Sequence, residues 1–166
     1  DGAQQVILNG EDVSGLIRTE EIGNTASATS VYPSVRAHLL ELQRSLAASQ
    51  NVIMDGRDIG TVVFPDAELK LFVTASPEVR AKRRVDELEA KGIPASYEEV
   101  LENVKKRDYI DSTREESPLR QADDALVLDN SHMTLEEQKA WNNIIKRSVH
   151  KRVLGVSYKE NFCLFE

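Results

Sequence analysis

The chain is poor in cysteine and has no long apolar run. Its single cysteine, Cys163, excludes an intrachain disulfide framework and a cysteine-based metal site, which indicates a reducing compartment. No apolar stretch approaches the roughly 20 residues that a membrane helix needs, and no signal-peptide pattern opens the sequence. These absences predict a cytoplasmic globular protein that has no membrane partner.

Net positive charge and aromatic residues are also scarce. The 21 lysines and arginines are outnumbered by 28 acidic residues, so the formal net charge is −7. A general nucleic-acid binder needs a positive surface that neutralises phosphates, and a single-strand binder also needs aromatic platforms for stacking. With only 5% aromatic residues, none of them interleaved with the arginines, the sequence predicts no nucleic-acid partner. A local basic cleft remains compatible with this balance.

Three nucleotide-binding and catalytic motifs are missing as well. The 166 residues contain no G-x-x-x-x-G-K-[ST], no G-x-G-x-x-G and no nucleophile elbow. A P-loop cradles phosphates with consecutive backbone N–H groups, and nothing in these residues can provide that cradle.

Strand and helix signals alternate along the chain. Short apolar runs predict strands at 51–54, 69–74 and 125–128, and an Asn9-Gly10 turn predicts a hairpin near the start. Helices are predicted from Thr19, from Pro33, from Ser76-Pro77 to Lys91-Gly92, from Ser96 to about 111 and from Thr134 to about 147. The alternation indicates an α/β protein with a parallel sheet flanked by helices. The tail, 149–166, continues no earlier periodicity.

Charged residues follow directly on the predicted strand 51–54. Parallel sheets bind ligands beyond the carboxyl ends of their strands, where Asp55, Arg57 and Asp58 lie. The planar fork of Arg57 suits a phosphate, and a carboxylate there can accept from an exocyclic amine or hold a hydrated cation. A salt-bridged surface turn explains this stretch equally well.

Two further groups of charged residues lie on predicted helices. Arg107, Asp111 and Arg114 follow at steps of four and three, which places them on one helical face, although an ordinary surface ion pair is the simpler interpretation. A third cluster has acidic residues within reach and is compatible with a solvated, paired face; it consists of Arg80, Arg83 and Arg84. Ser27 and Arg36 are uninformative when taken singly.

Taken together, several segments carry a specific resemblance. The stretch DGRDIGTVVFPDA is followed by RDYIDSTREESPL, within a match that runs from Val6 to Ile145. This pairing resembles the bacterial cytidylate kinases, a branch of the nucleoside monophosphate kinases. The resemblance implies a P-loop kinase fold with a small monophosphate-binding lobe and a helical lid. It also implies transfer of the γ-phosphoryl group of ATP to CMP or dCMP, with Mg²⁺ as cofactor, by a full-length protein that is a monomer.

The resemblance also implies roles for individual residues. Ser27, Arg36 and Asp58 match residues that read the cytosine ring, and uracil would present a carbonyl to Asp58 in place of an amine. The remaining matches are Arg57 and Arg114 for the monophosphate and the transferring phosphoryl group, Arg107 for a lid arginine, Asp111 for the sugar hydroxyls, Asp55 for the Mg²⁺ hydration shell and Arg83 for the vicinity of ATP. Arginines on three separate segments suit a reaction catalysed by positioning and charge neutralisation.

The sequence departs from the family pattern at its start and at its end. The family's first strand, its P-loop and the helix that follows are absent from these residues, so we expect exposed apolar sheet edges and no phosphotransfer by the 166-residue chain alone. The implied organisation is 1–31 in the CMP-binding lobe, 32–91 in the core, 92–120 in the lid region, 121–148 in the core and 149–166 as a tail of unknown role. A non-catalytic nucleotide-binding or interaction remnant of a kinase is the alternative.

Overall fold

The computed structural model describes residues 5–17, 19–148 and 153–158, and the chain divides into two compact units, Asp1–Leu42 and Gln43–Glu166. The elements are β1 (Ile7–Leu8), β2 (Glu11–Asp12), α1 (Glu20–Thr29), α2 (Pro33–Ser49), β3 (Val52–Gly56), a π-helix (Ile59–Val63), β4 (Leu69–Thr74), α3 (Pro77–Ala90), α4 (Tyr97–Thr113), β5 (Leu126–Asp129), α5 (Leu135–Ser148) and β6 (Val153–Tyr158). The functional divisions at 31, 91, 120 and 148 stay predictions.

The first unit opens with the predicted hairpin. Strands β1 and β2 pair antiparallel, with Leu8 opposite Glu11. The turn between them places Asn9 at φ 52° and Gly10 at φ 87°, the left-handed conformation that two-residue hairpin loops require. The following helix, α1, begins where it was predicted, because the Thr19 hydroxyl accepts a hydrogen bond from the Ile22 N–H at 3.4 Å.

The second unit contains a four-stranded parallel sheet, which confirms the predicted fold class at that level. Its strand order is β3-β6-β4-β5, and every neighbouring pair is parallel. Strand β4 is buried along most of its length, as expected for a strand in the interior of a parallel sheet. Leu71 and Val73 of β4 form the core with Leu128 of β5, and Trp141 of α5 packs against this cluster.

The position of β6 was not predicted from the sequence, because the tail had no predicted role. Exposed apolar sheet edges were expected, and Ile53 of β3 and Leu126 and Val127 of β5 are 49%, 51% and 52% exposed. Strand β6 lies between β3 and β4, with Asp55 of β3 opposite Val156 and Leu71 of β4 opposite the same residue. Backbone N–H and C=O groups of a buried strand need partners, and a segment of six residues at the end of the chain provides them for both neighbours.

The helices that carry charged residues begin at the predicted caps. Ser76 accepts from the Val79 N–H at 3.2 Å with Pro77 in the first turn of α3, which ends at Ala90 before Gly92 at φ 72°. Ser96 caps α4 in the same way. Helix α4 runs to Thr113, slightly past its predicted end. By contrast, the apolar residues that recur along α2 at steps of three and four are exposed by 39–53%; they are Val35, Leu39, Leu42 and Leu46.

Candidate functional site

The turn after β3 holds Asp58 in a defined position. The Asp58 carbonyl accepts hydrogen bonds from the Val62 N–H at 2.8 Å and the Val63 N–H at 3.2 Å, which start the π-helix. Short π-helical segments are frequent at functional sites. The Asp58 residue is only 8% exposed, so its carboxylate lies in the protein interior immediately after the strand. Asp55, three residues earlier, is exposed.

Arg44 fixes the other end of the π-helix, and sequence reasoning missed it. From α2, its Nε donates to the Val63 carbonyl at 3.0 Å and its Nη2 to the Val62 carbonyl at 2.8 Å. The segment that begins at Asp58 is therefore held at both ends. No local pattern in the sequence indicates this contact, because Arg44 reads as an ordinary polar position on an amphipathic helix.

The structure brings together two groups that lie far apart in the sequence. The Arg57 Nε donates to the Asp111 carboxylate at 2.7 Å, and an Arg114 terminal nitrogen lies 3.9 Å from the other oxygen of that carboxylate. Asp111 is 6% exposed, and its backbone carbonyl accepts from the Leu119 N–H at 2.7 Å. Two guanidinium groups thus flank one buried carboxylate, and guanidinium groups are well suited to binding an anionic ligand such as a phosphate.

The residues around this cluster on α4 have separate roles. Arg107 is half-buried one turn before Asp111. Asp108, its neighbour, accepts from both terminal nitrogens of Arg80 on α3, one of them at 2.9 Å. Arg80 is 2% exposed, so the expected solvated face is wrong for this residue. The expectation is confirmed for Arg84, which is partly exposed and pairs with Glu87 at 2.8 Å.

Arg83 connects α3 with the end of β5. Its terminal nitrogens donate to the Asn130 side-chain oxygen at 3.0 Å and to the Asn130 carbonyl at 2.7 Å. Next to it, the Ser131 hydroxyl and N–H donate to Asp129 at 2.6 and 2.9 Å, which lowers the pKa of that carboxyl group. Arg83 therefore lies at the carboxyl end of a core strand, and its role toward ATP stays a prediction.

Ser27 and Arg36 belong to the first unit. Both are half-buried, and both are linked to Ser30: the Ser27 carbonyl accepts from the Ser30 hydroxyl at 2.7 Å, and Arg36 donates to the Ser30 carbonyl at 3.4 Å. The two proposed base-reading residues of this unit are therefore held close to one another through the end of α1.

Metal-ligand clusters and membrane-spanning helices are both absent from the described residues. Over 5–17, 19–148 and 153–158, no group of three or more His, Cys, Asp or Glu side chains could hold a metal ion. Within the same ranges, no helix is long and apolar enough to cross a membrane.

Comparison with known proteins gives a consistent match. A sequence model of the family described as cytidylate kinase matches residues 2–148, so β6 lies outside the matched region. The chain is similar to a cytidylate kinase of Parabacteroides distasonis, at 72% identity over 140 residues that cover 84% of this chain and 61% of the relative. Cytidylate kinases of Bacteroides fragilis and Porphyromonas gingivalis are 56% and 53% identical, with the same two coverages. The chain therefore spans 61% of the length of these curated relatives.

Proposed function

The chain belongs to the cytidylate kinase family, and on that premise we propose that the full gene product transfers the γ-phosphoryl group of ATP to CMP or dCMP. The observation that carries the proposal is the cluster of Arg57, Asp111 and Arg114 at the carboxyl end of β3. Phosphoryl transfer depends on positioning and on neutralising charge spread over phosphate oxygens. A cluster with more guanidinium groups than carboxylates supplies that charge.

The phosphate of CMP would be held by Arg57 and Arg114. Guanidinium groups bind phosphate oxygens through two parallel hydrogen bonds, which fixes the orientation of the phosphate as well as its position. Asp111 is in contact with Arg57 and would accept from the sugar hydroxyls. Arg107, one turn earlier on α4, would add positive charge from the region 92–120, which we propose as the lid.

The cytosine ring would be read by Ser27, Arg36 and Asp58. A buried carboxylate at Asp58 accepts from the N4 amine of cytosine, whereas uracil presents a carbonyl oxygen to the same carboxylate. With uracil bound, the carboxylate and the carbonyl oxygen would both be acceptors and neither would have a donor. A buried polar group without a partner gives strong discrimination against the substrate that leaves it so. Arg36 would donate to the ring acceptors.

ATP and Mg²⁺ would complete the site. Mg²⁺ keeps several waters and is usually held by one or two carboxylates together with substrate phosphates. Asp55 is a single exposed carboxylate at the end of β3 and fits that mode of binding through water. The bound ion would neutralise charge on the transferring phosphate. Arg83, at the end of β5, is the proposed residue nearest ATP, and we propose that the protein acts as a monomer.

Substrate preference tests the base-reading role directly. In a coupled ADP-release assay, the full gene product should turn over CMP and dCMP faster than UMP. Asp58→Ala should reduce the ratio of CMP to UMP turnover, whereas Asp66→Ala, an exposed carboxylate in a loop, should leave it unchanged. An unchanged ratio in Asp58→Ala would remove that residue from the base-reading role.

The 166-residue chain by itself provides a second test. It contains no P-loop motif, so we expect it to show no phosphotransfer from ATP to CMP in the same assay. Robust turnover of CMP by this chain would contradict that expectation. A folded full gene product without turnover would instead favour a non-catalytic nucleotide-binding remnant of a kinase.

A further inference from the structure

Arg80 is the least exposed charged residue in the described part of the chain, at 2%. Its Nε donates to the carbonyl of Ala75, directly after β4, at 3.1 Å. Both terminal nitrogens donate to the Asp108 carboxylate in the middle of α4. One side chain in the first turn of α3 thus connects the carboxyl end of a core strand to a helix that carries proposed substrate-binding residues.

Helix α4 is held by a second ion pair one turn further on, between Asp111 and Arg57. Asp108 and Asp111 are three residues apart, so their side chains project from neighbouring positions on one face. Asp108 accepts from Arg80, which follows β4, while Asp111 accepts from Arg57, which follows β3. These two pairs, one from Arg80 on α3 and one from Arg57 after β3, fix the rotation of α4 about its axis, because rotating the helix would break both.

Burial of an ion pair is a poor way to gain stability. The cost of removing both charges from water often equals or exceeds their attraction, and apolar side chains of similar volume can replace such pairs without loss. A guanidinium–carboxylate fork, however, restricts the relative orientation of the two side chains. Arg80 and Asp108 meet in such a fork, because both terminal nitrogens of Arg80 donate to the same carboxylate. The pair therefore contributes orientation more than stability.

We propose that Arg80 and Asp108 form a positioning pair, which sets the rotation of α4 and so holds Asp111 and Arg107 in place for a nucleoside monophosphate. Arg80 is a positioning residue in this account and does not itself contact the substrate. The nature of the ligand rests on the proposed function, whereas the effect on the contact between Asp111 and Arg57 does not.

The decisive variant is the double substitution Arg80→Met and Asp108→Met in the 166-residue chain. It replaces the pair by apolar side chains, so we expect the fold to persist. NMR of ¹⁵N-labelled arginine side chains then reports the Arg57 Nε–H, which donates to Asp111. Its exchange with water should become about tenfold faster, the size expected when a hydrogen bond to a charged group is weakened.

Two further variants allow the test to be made even if the double Met variant does not fold. Asp108→Asn keeps the shape of the side chain but loses the charge, and it should have the same effect on the Arg57 signal. Val85→Ala, a buried apolar position on α3, destabilises the same helix without touching the pair and should leave that signal unchanged. An unaltered Arg57 Nε–H in both pair variants, or equal acceleration in Val85→Ala, would overturn the proposal.

Kinetics of the full gene product separate this proposal from the proposed function. The double Met variant should raise the KM for CMP about tenfold with little change in the KM for ATP. Absence of CMP phosphorylation by the unsubstituted protein would refute the proposed function, while the Arg57 signal would still decide the positioning role. A normal KM for CMP in a folded double variant would overturn the positioning role alone.

Discussion

Replacing Gly155 by valine is a direct test of the place of β6 in the sheet. Gly155 lies opposite Met54 on one side and Lys70 on the other. A Cβ atom at this position would lie 3.2 Å from Cγ2 of Ile59 and 3.5 Å from Cβ of Ala67. Ile59 is 2% exposed and has little room to move. The two methyl groups of valine would therefore force a shift of β6 or of the π-helix.

The expected loss of stability follows from two opposing contributions. Overpacking a well-filled interior costs about 1–3 kcal/mol. Valine is favoured over glycine in strands by up to about 1 kcal/mol, which offsets part of that cost. We therefore expect Gly155→Val to lower the free energy of unfolding by about 1–2 kcal/mol.

Urea unfolding followed by tryptophan fluorescence is a suitable assay. The single tryptophan, Trp141, packs against the core cluster of the same sheet and reports its integrity. Gly15→Val is the matched control, because a Cβ there has no neighbour within 4 Å. It should change stability by no more than about 0.5 kcal/mol. Unchanged or increased stability of Gly155→Val would refute the position of β6 between β3 and β4.

Three other substitutions probe the core, an ion pair and the π-helix. Leu71→Ala, at 1% exposure, should cost about 2–5 kcal/mol in the same urea assay, and a loss below 1 kcal/mol would contradict the core assignment. The pKa of Asp124 is lowered, chiefly by its hydrogen bonds from Lys70, so this pair stabilises the fold above the ordinary carboxyl pKa and the effect is lost as pH falls through the lowered value. Asp124→Asn should therefore lower the unfolding midpoint at pH 7 and have a progressively smaller effect as the pH is lowered below the ordinary carboxyl pKa, and a pH-independent difference would contradict this reasoning. Arg44→Met removes donors from two carbonyl groups of the π-helix and should accelerate amide exchange there by about tenfold, in contrast to Arg84→Met on the surface of α3.

Much of the fold follows from local signals in the sequence. Short apolar runs locate β3, β4 and β5 to within two residues, and serine or threonine caps locate the starts of α1, α3 and α4. Strand β6 could not be found in this way. Its sequence, VLGVSY, has a glycine at its centre and follows basic residues, and its parallel partners lie about 80 to 100 residues earlier in the chain.

The candidate site was predictable only in part. Spacing places Arg107, Asp111 and Arg114 on one helical face, but it does not show that Arg57 contacts Asp111 across 54 residues. The matching of these residues to a common site came from the resemblance to a family. Arg80 was misjudged because acidic neighbours in the sequence are typical of a solvated helix face, whereas its actual partner lies on another helix.

The identity of the phosphoryl acceptor is the central claim, and ³¹P NMR measures it without a coupling enzyme. The full gene product is incubated with ATP, Mg²⁺ and CMP, and the resonances of all phosphates are followed in one sample. We predict that CDP and ADP appear together in equal amounts, and that UMP in place of CMP gives much slower transfer. Release of inorganic phosphate from ATP without formation of CDP would contradict the account.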